Sequence, residues 1–159
     1  MPSMMRIGLL AGGIILILDH LTKWLIRDVV LDGARYIEIT GFFNLVEVWN
    51  RGVSFGLFAS SSPWTPVLLS ALAIGISIVL LVWLRKAETL LLSIALGIVI
   101  GGAVGNVIDR ILWGHVFDFL DFHIAGYHWP AFNVADSAIT IGVALILIDG
   151  FIAKTPDDG

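Results

Sequence analysis

The sequence predicts an all-α membrane protein with four membrane-spanning helices in a single domain covering residues 1–159. Three observations lead there. Hydrophobic residues make up 58% of the chain without counting glycine, and mean hydropathy is +0.95; soluble domains average about 45–50% apolar with glycine included. A chain of this size exposes too much surface to hide that excess in water, and the same excess excludes disorder. Four apolar stretches also reach the roughly 20 residues that a helix needs to cross a bilayer core. The absence of cysteine removes disulfide scaffolds, thiol catalysis and Cys-ligated metals. A net charge of −4 gives no footprint for nucleic acid.

The first span is 7–26, interrupted by Asp19, His20 and Lys23. Arg6 before an apolar run resembles a secretory signal, but no small-residue cleavage site follows, so an uncleaved span is expected. The second, 67–84, and the third, 89–108, carry no charge. The fourth, 134–153, contains Asp136 and Asp149. Each is helical because lipid offers a lone segment no other way to satisfy its backbone. Four spans place both termini on one side, together with the tight Arg85-Lys86-Ala87-Glu88 hairpin. Arg6, Arg85, Lys86 and Lys154 fall there within roughly 20 residues, against Arg27, Arg35, Arg51 and Arg110 over roughly 60 on the other side, a density that puts the termini in the cytoplasm. The connections 27–66 and 109–133 then share the outer face. Alternation in Tyr36–Ile39 and Phe43–Trp49 predicts strands. Trp113, Phe117, Phe119, Phe122, Tyr127 and Trp129 suit a membrane–water interface.

Gly97, Gly101 and Gly105 recur every four residues along the third span, and Asp109 is the next step. Small residues at that spacing form a helix-packing groove. An acidic residue at a helix C-terminus faces the negative end of the dipole and costs free energy near lipid, so a function is expected of it. Asn133 reads as the N-cap of the fourth span, with Asp136 in its first turn. Antiparallel spans bring Asp109 and Asp136 to the same membrane face. Two close carboxylates share a proton; one activates water while the other protonates a carbonyl or leaving group, the chemistry of an aspartic protease. The helix dipoles alone would make Asp136 the initial base and Asp109 the initial acid.

These residues bring a family into view. Asp19-His20-Leu21-Thr22-Lys23, Asn50-Arg51-Gly52-Val53-Ser54-Phe55-Gly56, Gly101–Arg110, Val116-Phe117-Asp118-Phe119 and Pro130–Ser137 resemble, in order, five motifs of the bacterial lipoprotein signal peptidase (signal peptidase II) family. One departure is Val53-Ser54, where paired alanines are common in the family. The resemblance implies an aspartic endopeptidase of the inner membrane with Asp109 and Asp136 as its catalytic pair. It would cut diacylglyceryl-modified prolipoproteins just before the lipidated cysteine and be inhibited by globomycin. It also implies an extracytoplasmic β-cradle over 36–58, a short interfacial helix, and a short mobile segment, 112–128, covering the site. Membrane lipid is the other expected partner, the active site faces the periplasm, and a monomer without cofactor or metal is expected.

The supporting residues have plainer readings as well. Asn106 can hydrogen-bond the pair or substrate backbone, or satisfy a neighbouring helix. Arg110 can clamp a substrate carbonyl or pair with Asp118 or Asp121. Asn50, beside Gly52, and Asn133 can hold the scissile segment or its oxyanion, Asn133 also serving as a cap. Asp19 and Lys23 stand at ion-pair spacing and are read as an architectural pair at the outer end of the first span. Asp118 is expected to organise the second connection, and Asp149 to be solvated. His115, His123 and His128 lack the spacing of a local helical metal site, and no Gly-x-Ser-x-Gly elbow is present. The competing function is a proton-coupled transporter or channel subunit using Asp19, Asp109 and Asp136.

Overall fold

The computed structural model describes residues 3–52 and 64–152. In chain order the elements are α1 (Ser3–Trp24), a π-helical extension (Leu25–Leu31), β1 (Tyr36–Thr40), β2 (Phe43–Asn50), α2 (Thr65–Leu84), α3 (Leu90–Trp113), β3 (Val116–Ile124), β4 (Tyr127–His128) and α4 (Val134–Ile152). Four helices, Ser3–Leu31, Thr65–Leu84, Leu90–Trp113 and Val134–Ile152, are long and apolar enough to cross a membrane. They match the four expected spans, with the first and third running further.

α3 is the central helix, and α1, α2 and α4 all pack on it. It starts at an N-cap, where the Thr89 hydroxyl accepts the Leu92 N–H at 3.1 Å. It stops at Gly114, whose φ of +72° is a left-handed conformation that favours glycine. α1 and α3 approach backbone to backbone: a Cβ on Gly97 would collide with the Gly8 carbonyl, and one on Gly101 with that of Gly12. The stripe is thus a packing groove, and Gly8 and Gly12 are its complement on α1. Side chains pin the end of the bundle that carries the N-terminus. Ser93 Oγ donates to the Met4 carbonyl at 2.7 Å, and Thr89 Oγ1 donates to Asp149 Oδ1 at 2.6 Å. Asp149 is therefore bonded across α3 and α4, not merely solvated as expected.

At the opposite end lies an antiparallel sheet of order β1-β2-β3-β4. β3 and β4 join through Ala125-Gly126, both at positive φ (51° and 84°), the geometry of a tight hairpin turn. Leu31, Leu45, Phe117 and Phe119 form the core beneath the sheet, with Ile26 and Val134 packed against it. The strands expected at 36–39 and 43–49 are present. The rest of the expected cradle, 53–58, lies outside the described residues.

Two expectations change. Residues 112–128 form regular structure, the last turn of α3 followed by two paired strands, with β3 inside the sheet. Phe117 and Phe119 are core residues (1% and 3% exposed), whereas Trp113, Tyr127 and Trp129 remain exposed as interfacial aromatics do. Phe117 and Phe119 lie on β3 inside the sheet, whereas Trp113 ends α3 and Tyr127 lies on the short edge strand β4. Among the described residues, no helix stands apart from the four spans and the extension of the first.

Candidate active site

The sheet end of the bundle gathers an unusual number of buried polar side chains: Asp19, Lys23, Asn106, Asp109, Asp118, Asn133 and Asp136. Burying such groups is costly unless each is paired, and the pairing here is extensive.

Lys23, on α1, is the cationic centre. Its ammonium donates hydrogen bonds to Asp19 Oδ2 at 2.7 Å and Asn106 Oδ1 at 3.3 Å, and forms an ion pair with Asp109 Oδ2 at 2.8 Å. The architectural pair read from the sequence therefore extends directly to Asp109. Asp19, fully buried, uses Oδ1 to accept the Ala135 N–H at 2.9 Å, one of the free amides at the start of α4. Gly105 leaves room for this carboxylate, because a Cβ there would lie 2.6 Å from Asp19 Oδ2.

Asn106 joins the two proposed catalytic carboxylates. Its Nδ2 donates to Asp136 Oδ1 at 2.9 Å, while its Oδ1 faces Lys23 and Asn133 Nδ2, each at 3.3 Å. One unbroken path thus runs Asp109–Lys23–Asn106–Asp136. Asp109 Oδ2 also accepts the Phe117 N–H at 3.2 Å. α3 continues one turn beyond Asp109 to Trp113, so Asp109 is not at the helix terminus. Macrodipole effects fall off within the last turn.

Asn133 is the cap of α4, as expected: its Oδ1 accepts the Asp136 N–H at 2.9 Å. Its Nδ2 reaches Asp118 Oδ1 at 2.7 Å and the Phe117 carbonyl at 3.3 Å. Asn50 Nδ2 donates to Asp118 Oδ2 at 3.0 Å, and Asn50 Oδ1 accepts the Gly52 N–H at 2.9 Å. Arg110 donates to the Gly52 carbonyl at 2.9 Å and to the Asn106 carbonyl at 3.4 Å; among the described residues it makes no hydrogen bond to Asp118 or Asp121. The Asn50–Gly52 segment is thereby held over the carboxylates from two sides.

Sequence reasoning did not place Asp118 in the site. It is 1% exposed, and burial, then the Asp136 charge, push its carboxyl up to about 7 against the hydrogen bonds from Asn50 and Asn133. The available signal was an acid between two inward-facing phenylalanines of a strand. Beside the site, Asp136 lines an apolar cavity of about 500 Å³ with Trp129, Phe132, Ile139 and Ile141.

The family model described as Signal peptidase (SPase) II matches residues 12–152, a range that contains every residue of this network. The chain belongs to the signal peptidase II family. Lipoprotein signal peptidases of Burkholderia vietnamiensis and Burkholderia thailandensis are 47% and 44% identical to it over 137 residues, 86% of this chain and 82% of each relative. Two solved bacterial membrane enzymes are similar in fold, with TM-scores of 0.80 and 0.75. Each is 32% identical, and the match covers 96% of this chain and 91% and 94% of theirs. Membership in the signal peptidase II family makes the protein a membrane peptidase. Nothing in the fold or the relatives favours the transporter or channel reading.

Proposed function

We propose that the protein is a single-domain aspartic endopeptidase that removes signal peptides from diacylglyceryl-modified prolipoproteins, cutting before the lipidated cysteine with Asp109 and Asp136. The observation that carries this reading is the pair of buried carboxylates on neighbouring helices, linked through Lys23 and Asn106. In the reaction one carboxylate takes a proton from water, whose oxygen attacks the scissile carbonyl, while the other gives its proton to the carbonyl oxygen. Collapse of the resulting gem-diol breaks the C–N bond as the leaving amine takes up a proton. Donors reach both carboxylates, the Lys23 ammonium and the Phe117 N–H at Asp109 Oδ2 and the Asn106 amide at Asp136 Oδ1, and the pair handles the proton as a unit. Arg110 and Asn50 hold the Gly52 backbone, and the Asn106 and Asn133 amides hold the carboxylates of Asp136 and Asp118 in place.

The setting follows from the same residues. Arg6, Arg85 and Lys86 belong to the end of the bundle away from the site, which supports cytoplasmic termini, an inner-membrane location and an extracytoplasmic sheet and active site. The apolar cavity beside Asp136 suits the acyl chains of the substrate, worth about 0.8 kcal/mol per buried methylene. Globomycin-type inhibitors would compete for the same site, and the working unit is a monomer.

The test is cleavage of a lipidated prolipoprotein by purified Asp109→Asn and Asp136→Asn variants. Each is expected to lose at least about a hundredfold in rate while retaining its thermal transition and substrate binding. Efficient cleavage by either variant overturns the pair. The same substrate without diacylglyceryl should be processed far more slowly, and equal turnover would remove lipid recognition.

A further inference from the structure

A second cavity, of about 690 Å³, opens on the face of the sheet. Strand register builds its floor: Glu38 on β1 pairs with Asn44 on β2, and Asn44 pairs with Asp121 on β3. Cross-strand partners share a face, so the three side chains form one polar rung across the sheet. The next rung is His123 against His128, their rings stacked 4.7 Å apart.

The chemistry of this cavity is one-sided. Among the described residues, its wall carries two carboxylates, Glu38 and Asp121, two histidines, His123 and His128, and no Lys or Arg. Asn44 is only 6% exposed and donates through Nδ2 to Asp121 Oδ2 at 2.8 Å. Among the described residues its Oδ1 is buried without a hydrogen-bond partner, and so is Nε2 of His123. Leaving a buried acceptor unpaired costs on the order of 1–3 kcal/mol, which a ligand that donates hydrogen bonds would recover. His128 Nδ1 lies 2.9 Å from both Asp121 oxygens. Burial alone would raise the Asp121 carboxyl, but the bonds from Asn44 and His128 hold it below the usual carboxylate range.

The position is equally informative. Trp129 and Ala131 line both this cavity and the apolar one that contains Asp136. An apolar chamber that Asp136 lines and a chamber with two carboxylates in its wall therefore adjoin at Trp129 and Ala131. The substrate class in the proposed function is divided in the same way, with lipid and an apolar signal segment on one side and a hydrophilic mature segment on the other.

We propose that the Glu38–Asn44–Asp121 rung, with His123, is a specificity subsite for a hydrogen-bond-donating, preferentially cationic side chain among the first residues after the lipidated cysteine. This inference rests on the peptidase reading above and names which part of the substrate the sheet reads. Its energetic weight is that of a partly solvated ion pair.

The experiment measures kcat and KM for three lipidated prolipoproteins that carry Lys, Ser or Glu at the second and third positions after the cysteine. Each is tested with the unmodified protein and with Glu38→Gln and Glu38→Lys. Glu38 is exposed, so both variants should fold. The unmodified protein should favour Lys over Glu substrate by about threefold to fivefold, expressed in KM. Glu38→Gln should flatten that preference. Glu38→Lys should invert it, a swing of roughly tenfold in the Lys-to-Glu ratio, with the Ser substrate within about twofold throughout. Identical preference in all three proteins, with cleavage intact, overturns the subsite and leaves the catalytic pair standing. Cleavage of none of the three substrates by the unmodified protein overturns both.

Discussion

Replacing Lys23 with methionine keeps the stem of the side chain and deletes its charge. It would leave Asp19 and Asp109, 0% and 4% exposed, without the ammonium that lies 2.7 and 2.8 Å from them. Each keeps one backbone donor, the Ala135 N–H at 2.9 Å and the Phe117 N–H at 3.2 Å. Removing one partner of a buried ion pair costs about 3–5 kcal/mol. For a chain of this length that corresponds to a fall of roughly 6–20 °C in Tm, measurable by tryptophan fluorescence in mixed micelles, since the chain carries 6 Trp. The decisive readout is a cycle with Asp19→Asn. Alone, Asp19→Asn removes one charged contact of Lys23 and should destabilise by about 1.5–3 kcal/mol. In the Lys23→Met background it removes an uncompensated buried charge instead, so it should stabilise by about 1–3 kcal/mol. Equal destabilisation in both backgrounds would refute the view that Lys23 holds these carboxylates together.

Two further outcomes follow from packing and titration. Gly101→Ala would force α1 away from α3, because its Cβ meets the Gly12 carbonyl; it should lower stability by about 1–3 kcal/mol, whereas Gly13→Ala, with nothing within 4 Å, should be nearly neutral in the same melt. Asp118, raised from 3.8 to about 7, binds a proton in the folded state that the unfolded chain has released over that interval. Stability should therefore fall as pH rises from about 4 to about 7, then level, by up to about 4 kcal/mol. Asp118→Asn should flatten that slope in pH-dependent unfolding, and an unchanged slope would assign it elsewhere.

Much of this arrangement was legible because lipid constrains sequence severely. Apolar runs of helix length, with acids at their ends, placed Asp109 and Asp136 at one face before any coordinates. The Asn133 cap was equally local, since Ser, Thr, Asp or Asn before an apolar run is a helix start in its own right. Contacts that need three elements at once were not legible. Lys23 looked complete with Asp19 one turn away, and only the packing of α1 on α3 adds Asp109. The charge of Asp109 closes the apolar run at 108, although the stop signal, Gly114, stands further along. The role of Asp118 depends on which face of β3 is buried, and that is decided by the π-helical extension and the start of α4 packing beneath the sheet.

The ammonium that braces the site comes from α1, the first of the four spans to be synthesised, and Asp136 comes from α4, the last. During insertion neither half is competent without the other. A nascent chain still held at the translocon, with α1 to α3 already in the bilayer, lacks one carboxylate and the Ala135 amide that anchors Asp19. With the catalytic pair proposed above, proteolytic power is withheld until α4 has joined the bundle.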